Sequence, residues 1–193
     1  MPGGQIECDP TYSKGNFYRN TGIEPPAHKL DIEPQTEDTI ACDCRSLPFE
    51  DGTLSSLLFD PPFVSTKGPS VKKAKQGSNV IIGRFSCYPT AQALYEFYNQ
   101  ALAEFSRVLS ENGILIFKCQ DQVSGGVQYM SHVYIHNMAV EKGFYPKDLF
   151  ILNSKSRLIS GKHKNQKHAR KFHCYYWVFE KGNKRLEKVR KYI

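Results

Sequence analysis

The hydrophobic positions of this chain fall into short continuous runs, and several of the runs close on an acid. Residues 5–8 form the first, followed at once by the turn-rich segment Asp9-Pro10-Thr11-Tyr12-Ser13-Lys14-Gly15. After a break at Pro25-Pro26 a second run covers 28–32 and contains Asp31. A third, 39–42, leads into Asp43, and a fourth, 54–59, leads into Asp60. Short apolar runs bounded by turn residues predict strands. An acid recurring at their carboxyl ends predicts a parallel α/β sheet whose ligand edge lies on that side.

The period changes near residue 90. Leu94, Phe97, Tyr98, Ala101, Leu102, Phe105 and Leu109 recur at three- and four-residue spacing, which predicts a helix over 90–110 with Thr90 as its N-cap. Asn112-Gly113 is expected to end it. Residues 114–117 then form an uninterrupted apolar run, as a central parallel strand requires. A second helix is predicted over 127–142, stopping at Gly143. The last two strands are predicted at 148–152 and 173–179. The segment joining them carries no helical period, so they are expected to pair antiparallel. The sum is an α/β chain with a seven-stranded, mostly parallel sheet, a C-terminal antiparallel hairpin and no internal repeat.

Composition narrows the class. A chain of 193 residues suits one domain, assigned to 1–181, followed by a basic tail over 182–193 with Lys184, Arg185, Lys188, Arg190 and Lys191. No apolar run is long enough to span a bilayer, and Met1-Pro2-Gly3-Gly4 lacks the features of a signal peptide, so a soluble, cytoplasmic protein is expected. The six cysteines lie mostly in apolar, strand-like stretches and read as small buried hydrophobes. Neither a disulfide framework nor a metal site is expected.

The candidate chemistry lies in Asp60-Pro61-Pro62-Phe63, directly after an apolar strand. Two prolines fix two φ angles and remove two N–H donors, leaving a stiff turn with a carboxylate, free carbonyls and an aromatic ring. The Asp side chain and the first proline's carbonyl can each accept a hydrogen bond from one NH₂ group. The nitrogen lone pair is then drawn out of conjugation and aimed at an electrophile, while the Phe face stacks on a flat ring. Taken alone, such a tetrapeptide is as often an ordinary strand-ending turn.

The segments around it carry more. Asp43-Cys44-Arg45-Ser46-Leu47-Pro48-Phe49-Glu50-Asp51 followed by Leu57-Leu58-Phe59-Asp60-Pro61-Pro62-Phe63 resembles, in order and spacing, two consecutive motifs of the amino-methyltransferases. These are the class I S-adenosylmethionine enzymes with an Asp/Asn/Ser-Pro-Pro-aromatic motif, and the likeness extends over about residues 5–181. It implies a Rossmann-like class I methyltransferase fold, S-adenosylmethionine as cofactor, and Asp60, Pro61, Pro62 and Phe63 as the catalytic turn. Asp9, Pro10, Thr11 and Gly15 would form the loop facing the methionine moiety, and Asp31 would accept the ribose hydroxyls. Asp43 would take the adenine amino group, with Cys44 or Leu47 against the ring. Ser13 stands where the family has a glycine. Few residues precede the first strand, so the resemblance leaves the pocket open or completed by a second copy or a partner subunit. The Asp form of the motif points to adenine N6; cytosine N4 enzymes more often carry Ser.

Charge supplies a partner. The chain is formally +7, and twelve of its 26 Lys and Arg fall in two stretches without acids. The first holds Lys67, Lys72, Lys73, Lys75 and Arg84. The second holds Lys155, Arg157, Lys162, Lys164, Lys167, Arg170 and Lys171, interleaved with His163 and His168. In the expected fold both flank the catalytic edge, as contact with a phosphate backbone requires. Lys167-His168-Ala169-Arg170-Lys171 also resembles a segment of small phage-type and bacterial DNA methyltransferases. DNA is therefore favoured over RNA, with the target base flipped into the turn. An RNA methyltransferase, and a non-catalytic nucleic-acid-binding subunit of the same fold, are the alternatives.

Overall fold

The computed structural model describes residues 4–65, 88–154, 168–169 and 171–193. A seven-stranded sheet runs β3-β2-β1-β4-β5-β9-β8, built from β1 (Cys8–Asp9), β2 (His28–Asp31), β3 (Ile40–Ala41), β4 (Leu54–Phe59), β5 (Leu109–Cys119), β8 (Phe144–Asn153) and β9 (His173–Lys181). The first five pair parallel, while β9 is antiparallel to both β5 and β8. This is the expected sheet. A second, two-stranded ribbon pairs β6 (Gln122–Ser124) with β7 (Val127–Tyr129).

β4 is a strand because Leu54, Leu57, Leu58 and Phe59 are all buried, with the one interior polar group satisfied: Ser56 Oγ accepts the Glu7 N–H at 2.9 Å. Helix α1 (Ala91–Val108) is capped by Thr90, whose hydroxyl accepts the Ala93 N–H at 3.0 Å. Its Leu94, Phe97, Tyr98, Ala101, Leu102 and Phe105 cover Leu57, Phe59, Leu115 and Phe117 of the sheet. Phe59 sits edge-on to both Phe105 and Phe117, at 4.8 and 4.9 Å between centroids. Cys8, Cys44 and Cys119 are buried in the same core.

Two local expectations are corrected. Asn112-Gly113 does not end the helix. α1 stops at Val108, and Asn112, at φ 62°, lies inside β5, where the register against β4 shifts. The helix predicted over 127–142 begins at Ser131, because Gly125 and Gly126, both at positive φ, turn the chain into the β6–β7 ribbon; α2 is Ser131–Glu141. α3 (Leu186–Arg190) buries Leu186, and Arg190 donates to the Val140 carbonyl. No helix among the described residues is long and apolar enough to cross a membrane.

Candidate active site

β1 lies between β2 and β4, and the direction of strand addition reverses there: β2 and β3 extend the sheet one way, β4 and β5 the other. The crevice at the carboxyl ends of β1 and β4 is thus the topological switch point, where open α/β sheets take ligands. Five consecutive parallel strands end at or just before an aspartate: Asp9, Asp31, Asp43, Asp60 and Asp121. The described part of this edge is a row of carboxylates.

Asp9 is 2% exposed, and both of its carboxylate oxygens accept hydrogen bonds. The Thr11 N–H and hydroxyl donate to its Oδ1 at 2.8 and 3.1 Å, and the buried Tyr18 hydroxyl donates to its Oδ2 at 2.9 Å. Burial is the larger influence and pushes its carboxyl up to about 7, against these hydrogen bonds. Thr11 also reaches across to β4, where its Oγ1 accepts the Asp60 N–H at 2.9 Å. The two loops expected to share a site are therefore bonded to each other. Pro10 and Gly15 are buried beside them.

Ser13 takes φ 52°, the left-handed conformation that glycine adopts most readily. Its N–H donates to Asp31 Oδ2 at 2.8 Å, which holds the loop on β2, while Asp31 Oδ1 accepts the Glu33 N–H at 2.8 Å. Gly15, at φ 65°, is required: a Cβ there would fall 2.5 Å from the Tyr12 hydroxyl.

Asp60 lies at the end of β4 and is half-buried. Its Oδ2 pairs with Lys118 Nζ at 2.6 Å. Burial raises its carboxyl above the ordinary value while the Lys118 ammonium pulls it down. Pro61 is buried, Pro62 and Phe63 are half-buried, and the Pro62 carbonyl accepts the hydroxyl of Tyr98 at 2.7 Å. The turn is fixed from below by α1 and from both sides by β1 and β5.

Asp43 sits at the same edge with its carboxylate held by Arg45. The guanidinium donates three hydrogen bonds of 2.6 to 3.1 Å and the Arg45 N–H a fourth at 2.9 Å. Cys44 and Leu47 are 6% and 4% exposed and belong to the core, so they underlie this part of the edge. Of the basic residues expected to meet nucleic acid, Lys67, Lys72, Lys73, Lys75, Arg84, Lys162, Lys164, Lys167 and Arg170 lie outside the described residues. His168 is exposed and Lys171 half-buried, just ahead of β9.

Sequence reasoning missed two groups. Lys118 was signalled by its place: a lysine inside an apolar run, one residue past the Phe59–Phe117 register pair and so beside Asp60. Asp121 continues the series of strand-ending acids; its Oδ1 meets His132 Nδ1 at 2.8 Å, and the His132 ring stacks on Tyr175 at 4.2 Å.

No family model and no curated protein matches the sequence. Solved structures do match its shape. An S-adenosylmethionine-dependent methyltransferase of Thermotoga maritima superposes with a TM-score of 0.50 at 13% identity, covering 95% of this chain and 84% of its own. The PvuII DNA methyltransferase, cytosine-N4-specific, gives 0.50 at 16% identity over 72% of this chain and 47% of its own. The chain has the class I methyltransferase fold. A Thermus thermophilus protein, provisionally assigned as a DNA modification methylase, gives 0.48 at 15% identity over 80% of this chain. This chain spans 53% of that protein's length. Within the class I methyltransferase fold the bonded pair of loops, Asp9–Gly15 and Asp60–Phe63, occupies the switch point.

Proposed function

We propose that this chain is an S-adenosylmethionine-dependent methyltransferase acting on an exocyclic base amine of DNA, with adenine N6 as the target. The observation that supports it best is the hydrogen bond from the Asp60 N–H to Thr11, which joins the expected cofactor loop to the expected catalytic turn at the switch point.

The residues present suit the cofactor. Its sulfonium and ammonium are cationic and its ribose hydroxyls and adenine amine are donors, so an edge of carboxylates is the complementary acceptor set. Asp9, Thr11 and Gly15 would hold the methionine end and Asp31 the ribose. Asp43 fits less simply: a carboxylate has about four acceptor positions, and Arg45 fills four. The adenine contact needs Arg45 to turn away. When bound, the cofactor supplies an electrophilic methyl group on sulfur.

The chain's own part is orientation. Asp60 and the Pro61 carbonyl accept the two N–H bonds of the target amine, which localises the lone pair for attack. Phe63 stacks on the base. Asp60 polarises the amine rather than acting as a strong base, and the proton leaves after transfer. The adenine preference is supported by the Asp form of the motif, and DNA by the basic stretches. The test is mass spectrometry of nucleosides from DNA and from total RNA incubated with enzyme and labelled cofactor. Label in N6-methyladenine from DNA is expected; label confined to RNA would replace the substrate. Asp60→Ala is expected to abolish transfer, and retained activity would overturn the catalytic turn.

A further inference from the structure

A lysine rarely lies within the apolar core of a sheet without a partner, because its ammonium must be desolvated. Lys118 occupies such a place. Its neighbours in β5, Phe117 and Cys119, are fully buried, and its own side chain is 21% exposed. The strand cannot slip to relieve it, since Leu57, Leu58 and Phe59 are paired one to one with Leu115, Ile116 and Phe117. That register sets Lys118 beside Asp60, and Nζ meets Oδ2 at 2.6 Å. On the other flank the ammonium lies 5.9 Å from the centre of the Tyr176 ring of β9, its register partner.

We propose that Lys118 is a positioning residue, whose ammonium holds one oxygen of Asp60 charged and fixed so that the other accepts the target amine. This rests on the reading of Asp60-Pro61-Pro62-Phe63 as the catalytic turn. Among the described residues nothing donates to Asp60 Oδ1, while Oδ2 is held by Lys118 and the backbone N–H by Thr11. A carboxylate pinned at one oxygen and at its own main chain presents the other in a single orientation, which is what alignment of a weak nucleophile demands.

The charge is needed as well as the geometry. The titratable groups facing Asp60 are Asp9 from β1, Tyr98 from α1, Tyr176 from β9 and Lys118 from β5. Among the described residues Lys118 is the one cation in this set. Burial favours the protonated form of Asp60 and Lys118 opposes it, and a protonated acid would offer the amine a donor where an acceptor is wanted.

The test titrates the Asp60 carboxyl by carbon-13 NMR in the full chain, its resonance assigned by its loss in Asp60→Asn. In Lys118→Met, which keeps the side-chain length without the charge, the titration is expected about one to three pH units higher than in the wild type. Lys118→Arg is expected to restore it, and Lys118→Gln serves as a second neutral variant if methionine prevents folding. Methyl transfer should follow: near neutral pH, kcat falls about tenfold or more in Lys118→Met, KM for the cofactor stays within about twofold, and activity returns as pH rises. An unmoved titration overturns the proposal whatever the activity. A moved titration with unchanged kcat overturns the positioning role. A wild type that methylates no nucleic acid overturns the reading of the turn, while the titration still decides the pair.

Discussion

The hydroxyl of Thr11 stands between two carboxylate-bearing residues, donating to Asp9 Oδ1 at 3.1 Å and accepting the Asp60 N–H at 2.9 Å. One side chain thus sets the spacing between the loop after β1 and the turn after β4. Thr11→Val keeps the shape and removes both bonds, leaving a partly buried N–H unsatisfied. A loss of about 1–3 kcal/mol in urea unfolding is expected, with methyl transfer reduced beyond what stability accounts for. Thr11→Ser should preserve both. Equal activity of Val and Ser variants would show that the spacing is set elsewhere.

Asp9 gives the fold a pH dependence of definite sign. Its folded carboxyl titrates at about 7, above the ordinary 3.8. Between those values the folded chain retains a proton that the unfolded chain has released. The stability contributed by the neutral buried acid is therefore complete below about pH 4 and is lost as pH rises through about 7. Asp9→Asn, which does not ionise, is expected to be stabilised relative to wild type more at about pH 8 than at about pH 5, by an amount on the order of a few kcal/mol. Urea midpoints of both proteins at the two pH values check it. A wild-type-minus-variant difference that does not change with pH would mean that Asp9 stays charged.

Much of this was legible in the chain, and the failures have physical reasons. Apolar runs closing on Asp31, Asp43 and Asp60 marked the parallel half of the sheet, most clearly at β4, whose Leu57, Leu58 and Phe59 are fully buried and so continuous in hydrophobicity. The antiparallel end followed from the missing helical period between β8 and β9. Asn112-Gly113 misled because a left-handed residue serves a helix end and a strand irregularity equally well. Val127–Tyr129 misled because three residues are too few to separate the two periods. Lys118 stands out in the chain as a lysine in an apolar run, but its partner does not. Its meaning lies in the pairing of β5 with β4, which no local pattern carries.

Arg45 makes a prediction about the cofactor. Besides Asp43 it donates to Gln100 Oε1 at 3.2 Å and lies 5.8 Å from the centre of the Phe97 ring, so it is held in place by α1. If Asp43 receives the adenine amine, the ion pair competes with the cofactor. Arg45→Ala is then expected to lower the calorimetric Kd for S-adenosylmethionine by about three- to tenfold, the size of a partly exposed ion pair. Weaker binding would show that Arg45 contacts the cofactor itself.

Nucleic-acid binding should depend on which lysines are removed, not on how many. At the described carboxyl edge Arg45 and Lys118 are already paired with Asp43 and Asp60, so attraction of phosphate is expected to come from the basic stretches that leave that edge. Ser65, after the Asp60–Phe63 turn, and Ser154, after β8, are where they depart. The C-terminal basic residues sit elsewhere: Lys181 donates to the carbonyl of Leu109, the first residue of β5, and the Gly182 N–H to Gly143, which places the tail at the opposite end of the sheet. Replacing Lys162, Lys164 and Lys167 by Ala is expected to reduce the slope of log K against log salt by about 0.9 for each phosphate of duplex DNA that is no longer neutralised. Replacing Lys184, Arg185 and Lys188 should leave the slope unchanged. The reverse pattern in fluorescence anisotropy at several salt concentrations would move the nucleic acid to the far edge, away from Asp60.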